Sequence, residues 1–395
     1  MKLNFNNQFA FTMLKSVLML FAIFQGMYCF SQSDGVEVRH EIVFSEDGKY
    51  GAWPANHGIW TWDNEILVGF VEASYSEKNA GLHPYDKSTT ANKYARSLDG
   101  GITWQITDAF EAGQKAWGYD NNISPDRAEK PKPLIKAVED FTDEDFILTF
   151  LRHNNHNGPT HFYYSQDRGK SWEGAFTFPN LETAGIANRT DYLIDAKQTL
   201  SVFVTTAKSN KKEGRVALFR THDGGLSWDI ISYITEEQGG FDIMPSSVRI
   251  SDNELLTTIR TRTKDGMDLI SSYRSVDNGE NWKRLKDPAP YTGSAGSPPA
   301  LIKLKDGRLA LGYIYRSNFG SRVHVRFSED NGETWKDEIT LRSGDGASRD
   351  VGYPRIAQRK DGKIVMVYYW NHALDADKKP FRFIASTIFD PADYK

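Results

Sequence analysis

The 395-residue chain contains a single cysteine, Cys29. One cysteine cannot close a disulfide within the chain, so no disulfide framework holds the fold. Positive charge is not in excess either: 48 Lys and Arg stand against 52 Asp and Glu, a formal net charge of −4. That balance offers no general basic field, and a nucleic-acid partner is not expected. Beyond the first thirty residues no apolar run is long enough to cross a bilayer as a helix. Low-complexity segments, Pro- or Ser-rich linkers and long amphipathic helical patterns are also missing, which leaves one domain to form. Its stability must come from packing, and about 360 residues can bury a large core.

The start of the chain reads differently from the rest. Lys15 precedes the apolar run Ser16–Phe24, which is too short to span a membrane, and small residues Cys29 and Ser31 follow. This is the pattern of a secretory signal, with residues 1–31 removed and 32–395 left as the mature domain. A lipid anchor on Cys29 is the alternative. The expected location is therefore secreted or periplasmic.

What the chain has in quantity is one turn, written five times. The copies are Ser97-Leu-Asp99-Gly-Gly101-Ile-Thr103-Trp104, Ser165–Trp172, Thr221–Trp228, Ser275–Trp282 and Ser328–Trp335. They share the pattern [ST]-x-D-x-G-x-[STN]-W, and their Asp residues stand at 99, 167, 223, 277 and 330, giving intervals of 68, 56, 54 and 53. A near-regular interval of this size marks a repeated supersecondary unit. Asp is expected to bond backbone two residues on, and Gly to supply the positive φ of a tight hairpin. The Ser or Thr hydroxyl satisfies a loose backbone group, and Trp buries a ring between neighbouring units. A hairpin tip is a poor place for a shared site, so these Asp residues are expected to be structural. Six short β-rich runs accompany the turns: Glu65–Val71, Phe146–Phe150, Leu200–Val204, Glu254–Ile259, Arg308–Tyr313 and Lys363–Tyr368. They predict an all-β fold with one such run per unit.

The turn motif is the Asp box, and the chain resembles the sialidase-type β-propellers that carry it. The resemblance covers nearly all of residues 32–395. It implies a six-bladed β-propeller of four-stranded antiparallel blades, with one blade closed by strands from both termini. His40–Phe44 and Phe381–Ile388 are the segments expected to close it.

In such a fold the loops beyond the inner strands line one mouth of the channel. Arg152, Arg189, Arg260 and Arg316 follow strands of different units. One arginine after a strand is usually a solvated rim charge. Four from separate units suggest a pocket for an anionic sugar, because guanidinium forks bind carboxylate or sulfate bidentately. Arg262 reads as rim. Sialidases hold the substrate carboxylate with three arginines, and use a Tyr nucleophile assisted by Glu and an Asp acid/base. The resemblance places Arg260 as the second arginine and Arg316 as the third. It places Tyr353 of Gly352-Tyr-Pro-Arg-Ile356 as the Tyr and Asp86 as the acid/base. Arg355 of the same segment joins the expected binding set. Two matches fail. Ala52–His57 stands where the first arginine is expected, and Met244–Val248 has no Glu before Arg260. A neutral Tyr, with a pKa of about 10, is a weak nucleophile without help.

Histidine suits general acid/base work near neutrality, although a structural role is the commoner one for any single residue. His83 shares the short segment His83-Pro-Tyr-Asp86 with Asp86 and is the histidine expected to be catalytic; His57 and His153 are expected to contact substrate. His156 and His372 are weaker candidates. Arg152-His-Asn-Asn-His156 has no acidic partner, so no metal or other cofactor is expected. These features point to an exported hydrolase acting on a terminal acidic sugar of an oligo- or polysaccharide. Elimination on a uronic-acid polymer, as a lyase or dehydratase, is the alternative, since it needs cations and a base but no Glu-assisted nucleophile. A glycan-binding propeller without catalysis is the third reading.

Overall fold

The computed structural model describes residues 37–79, 83–372 and 382–394. The expected signal segment 1–31 and Phe381 lie outside the described residues. The described chain is all-β apart from three single-turn 3₁₀ segments.

Three sheets are four-stranded and antiparallel, each built from consecutive strands. The first contains Tyr192–Ala196, Thr199–Ala207, Glu213–Thr221 and Asp229–Tyr233. The next contains Phe241–Ser251, Glu254–Arg262, Asp268–Ser275 and Lys283–Arg284. The last of the three contains Ala300–Lys303, Leu309–Tyr315, Arg322–Ser328 and Ile339–Arg342. A three-stranded sheet, Ile147–Arg152, Thr160–Ser165 and Glu173–Thr177, precedes them. Four strands were expected there. The inner position is instead approached by an irregular segment, in which Tyr119 N–H donates to the Arg152 carbonyl (2.8 Å).

The remaining nine strands form one sheet made of two antiparallel runs. One run orders Gly352–Gln358, Ile364–Asn371, Arg382–Phe389 and then the N-terminal strand Val38–Phe44. The other orders Lys49–Ala52, Glu65–Tyr75, Tyr85–Ser97 and Gln105–Asp108, with Ile59–Trp62 also paired to Glu65–Tyr75. A single parallel pair, Tyr50 with Arg382, joins the runs. The expected closure by strands from both ends is therefore present: Val38–Phe44 pairs antiparallel with Arg382–Phe389.

The core follows from period-two patterning on strands buried on both faces. In Ile364–Asn371, Ile364, Met366 and Tyr368 join one apolar cluster while Val365, Val367 and Tyr369 join another. In Thr199–Ala207, Leu200, Val202 and Val204 face one neighbour and Phe203 the other. Such strands read as continuous apolar runs rather than as alternation. Six of the clusters each join two consecutive runs of strands, and they close on themselves, from the cluster holding Leu67 and Ile147 to the one holding Val365 and Ile66.

All five repeated turns have one hydrogen-bond pattern. In the first, Ser97 Oγ donates to Asp99 Oδ1 (2.8 Å) and accepts from Gly101 N–H (2.8 Å). Asp99 Oδ1 accepts from Thr103 N–H (2.9 Å), and Oδ2 from the Thr103 hydroxyl (2.6 Å). The Asp thus reaches four residues on, not two, because the turn is wider than an Asx turn. The conserved-position glycine is at φ 92° in Gly101, as it is in Gly279.

Two outcomes follow. Trp228 is 6% exposed and sits edge-on to Phe178 with ring centroids 5.0 Å apart. Trp228→Ala should cost about 3–5 kcal/mol, read as a lower urea midpoint. At Asp277, hydrogen bonds from Asn281 and Ser275 hold the carboxyl down at about 2. A folded-state value below the unfolded one gives stability that is complete above about pH 4 and lost as pH falls toward 2. Asp277→Ala should therefore show a shallower loss of stability than wild type across that window in acid titrations followed by circular dichroism.

Candidate functional site

Strand ends from several runs converge on a cavity of about 220 Å³. Its charged and reactive lining is Arg152, Arg189, Arg260, Tyr353, His83, Asp120 and Glu213, beside Asn56 and Asn155, with Trp53, Tyr85 and Tyr119 as aromatic wall. A larger cavity of about 340 Å³ lies farther along the same strands, walled by Ile59, Trp60, Leu193 and Leu301. Between the two, Arg355 donates through Nη2 to the carbonyls of Ala55 (2.8 Å) and Thr190, forming a floor. The larger cavity brings only Asp191 and Arg355 together as charged groups. The smaller one gathers a cationic cluster, a phenol and an imidazole, which is the richer chemistry.

The arginines differ in what compensates them. Arg152 Nη2 pairs with Asp120 (2.7 Å) and Arg189 Nη1 with Glu213 (2.5 Å). Arg260 has no carboxylate within ion-pair distance among the described residues. Its Nη1 donates to the Tyr353 hydroxyl at 3.2 Å and its Nη2 to the Ala295 carbonyl. The Nε atoms of Arg189 and Arg260 are buried with no hydrogen-bond partner among the described residues. Three guanidinium groups against two carboxylates leave the lining one positive charge in excess, carried by Arg260. A ligand anion is the natural complement, since an uncompensated buried cation is costly.

Tyr353 stands at φ 54°, a left-handed conformation that a bulky side chain seldom adopts. Burial alone would raise its pKa, but Arg260, Arg316 and Arg189 outweigh burial and hold the phenol below its ordinary value. The help that Tyr353 lacks from a Glu thus comes from guanidinium groups.

His83 lines the same cavity, and its Nδ1 lies 2.7 Å from Asp350 Oδ1. Asp350 is buried and also accepts from Tyr50 Oη (3.0 Å), Tyr369 Oη (2.9 Å) and Arg382 Nε (2.8 Å). Burial would raise the Asp350 carboxyl, but His83, Arg382 and Arg316 bring it below its ordinary value, so it is ionised.

Of the residues singled out from sequence, the cavity collects Tyr353, His83, Arg260, Arg152 and Arg189. The others lie elsewhere. Asp86 is half-buried, and its carboxylate accepts from the Ser88 hydroxyl (2.7 Å) and N–H (2.9 Å). It is outside the cavity lining, and those bonds favour its charged form, so it is unsuited to donate a proton. Arg316 is 2% exposed and donates to the carbonyls of Gly296 (3.0 Å) and Arg349 (2.8 Å). It acts on Tyr353 through its field, from behind the lining. His57 is buried, and burial with Arg152 and Arg355 nearby lowers its pKa to about 3, so it is a neutral core histidine. His153 packs edge-on to Trp117 and His161 outside the lining. Arg355 is the floor described above. Sequence reading missed Asp120, Glu213 and Asp350. Asp120 sits in the irregular segment that replaces a strand, and no spacing marked any of the three. The only hint was Asp350, three residues before Tyr353.

A sequence profile described as a BNR repeat-like domain matches residues 110–366. No curated protein matches the chain. Among solved structures, a protein of unknown function from Dyadobacter fermentans is similar at TM-score 0.65 and 20% identity, covering 89% of this chain and 99% of that one. An alpha-L-arabinanase from Penicillium chrysogenum, solved with arabinobiose, is similar at 0.56 and 14%, covering 90% and 98%. The Hadza microbial sialidase Hz136 is similar at 0.55 and 13%, covering 87% and 66%. These likenesses show the fold, a β-propeller.

Removing the Arg260 guanidinium should raise the Tyr353 pKa. ¹³Cζ-tyrosine NMR titration of Arg260→Ala against wild type reads this directly; an unmoved Tyr353 resonance profile would refute the electrostatic account. Arg316→Lys loses two buried carbonyl bonds and should lower the thermal midpoint as well, contrary to what a solvent-facing arginine would do.

Proposed function

The chain belongs to the BNR repeat-like domain family, and on that footing we propose that it is a carbohydrate-active enzyme that cleaves a glycosidic bond at an acidic sugar. The observation that carries the reading is the contact between Arg260, the uncompensated cation of the cavity, and the Tyr353 hydroxyl at 3.2 Å. Arg260 binds the anion. Tyr353 supplies the oxygen that attacks or takes a proton, and His83 supplies the proton. In the hydrolytic form, which resembles a sialidase, the Tyr353 oxygen bonds the anomeric carbon as the glycosidic C–O bond breaks. His83, doubly protonated, gives its Nε2 proton to the departing oxygen; water, passing a proton back to His83, then displaces Tyr353 from the anomeric carbon and releases the sugar. The paired carboxylates Asp120 and Glu213 are held by arginines and suit hydrogen bonding to sugar hydroxyls.

The same contact also suits elimination, since the Tyr353 hydroxyl meets an arginine, Arg260, rather than a Glu. There Tyr353 takes the proton next to a uronate carboxylate, the electron pair forms the double bond, the C–O bond breaks and His83 protonates the leaving oxygen. We further propose that the nine-stranded sheet counts as two blades, giving six, and that residues 1–31 direct export. The blade count rests on the clusters that join consecutive runs in a closed series.

The test is product mass on sialosides, uronate oligosaccharides and sulfated polysaccharides. Hydrolysis adds one water across the products, whereas elimination adds none and yields a conjugated double bond visible in the ultraviolet. Tyr353→Phe should lower the rate by at least about 100-fold, while Asp86→Asn stays within about twofold of wild type. Wild-type turnover in Tyr353→Phe would overturn the proposal.

A further inference from the structure

The cavity owes one of its two reactive groups to a residue that does not line it. Asp350 precedes Tyr353 by three residues, so one short segment supports both the phenol and the imidazole of the site. Its carboxylate is saturated. Oδ1 receives His83 Nδ1 (2.7 Å) and Tyr369 Oη (2.9 Å). Oδ2 receives Tyr50 Oη (3.0 Å) and Arg382 Nε (2.8 Å). An ionised carboxylate only accepts, and about four lone-pair positions are what it has. The Tyr50 hydroxyl also lies 3.2 Å from His83 Nδ1, but its proton is directed to Asp350. The ring nitrogen facing Asp350 must therefore carry the hydrogen.

We propose that Asp350 is a positioning residue that fixes His83 with its proton on Nδ1, so that Nε2 is the nitrogen presented to substrate. The proposal rests on the reading of His83 as the acid/base group of the cavity. Of the four donors on Asp350, His83 alone lines the cavity; Tyr50, Tyr369 and Arg382 are buried. These three come from different strands, and they hold the carboxylate whether or not His83 is present. Trp53 sets the other side of the imidazole, edge-on at 5.5 Å between ring centroids, so the ring is held both in plane and in tautomer. A carboxylate behind a histidine that acts through its far nitrogen is the arrangement that keeps an imidazole in one orientation through a proton transfer. What distinguishes it here is the seam: Tyr50 and Arg382 are also the parallel pair that joins the first and last runs. Closing the fold and orienting His83 therefore use the same residues.

The experiment is ¹⁵N–¹H correlation spectroscopy of imidazole-labelled wild-type protein at a pH where His83 is neutral, assigned by loss of the His83 signals in His83→Ala. The expected spectrum has His83 predominantly as the Nδ1–H form. A predominantly Nε2–H form overturns the proposal. In Asp350→Asn, with folding checked by circular dichroism, the Nδ1–H share should fall below half; an unchanged share in a folded variant also overturns it. Should Asp350→Asn fail to fold, Tyr369→Phe gives the second arm, since it leaves the His83–Asp350 pair in place and must leave the tautomer unchanged; a changed tautomer there assigns the effect to packing and overturns the proposal. On the substrate found by product mass, Asp350→Asn should lower kcat roughly 10- to 100-fold with KM little changed. Because the tautomer is read without substrate, it stands or falls apart from the proposed reaction. Undiminished cleavage by His83→Ala would sink the reaction while leaving the tautomer result intact.

Discussion

Closure of the ring is the constraint on which everything else in this molecule depends. A series of similar antiparallel runs gains nothing by stopping, because its first and last members each present an unpaired edge and an uncovered apolar face. Here the N-terminal strand Val38–Phe44 crosses to complete the C-terminal run, and Tyr50 meets Arg382 in parallel beside it. The apolar cluster that includes Val365, Val367, Ile66 and Val68 then fills the last gap. Without a disulfide, this long-range pairing is what holds the two ends of the described chain together.

Closure also has a chemical consequence. Bringing strand ends from many runs to one place concentrates arginines that no local sequence compensates. Arg152 and Arg189 are neutralised by Asp120 and Glu213, whereas Arg260 is left with a phenol and a carbonyl. In a partly desolvated cavity the field of Arg260, Arg316 and Arg189 outweighs burial and holds the Tyr353 pKa below its ordinary value. At His57 the neighbouring Arg152 and Arg355 act in the same direction as burial, and the ring stays neutral. Both pKa values fall, since positive neighbours favour a phenolate and disfavour an imidazolium.

The repeated turn was legible because it is local. Its hydroxyl, carboxylate, glycine and indole all act within eight residues, so composition and spacing alone identify it five times. The six apolar runs were legible for a related reason: strands buried on both faces lose their polar alternation. Arg152, Arg189, Arg260 and Arg316 could be read from their places after strands, Tyr353 and Asp86 from the resemblance, and His83 from the segment it shares with Asp86. Asp86 and Arg316 lie outside the lining. Asp86 turns back onto Ser88, and Arg316 turns inward to Gly296 and Arg349. Position at a strand end does not determine which way a long side chain points.

By itself, the sequence determined the repeat and the all-β class, since each is encoded in side-chain periodicity and short-range hydrogen bonding, and through the resemblance it pointed to the closing strands. It also pointed to arginine, histidine, tyrosine and aspartate as the chemistry. Only the tertiary structure decided which arginine of the cavity lining has no carboxylate partner, which histidine has a carboxylate behind it, and that an irregular segment delivers Asp120. Those outcomes depend on contacts between residues as far apart as His83 and Asp350. The physical reason is that a charge's behaviour is set by the few ångströms around it, and in a closed ring that neighbourhood is assembled from parts of the chain that share no local pattern.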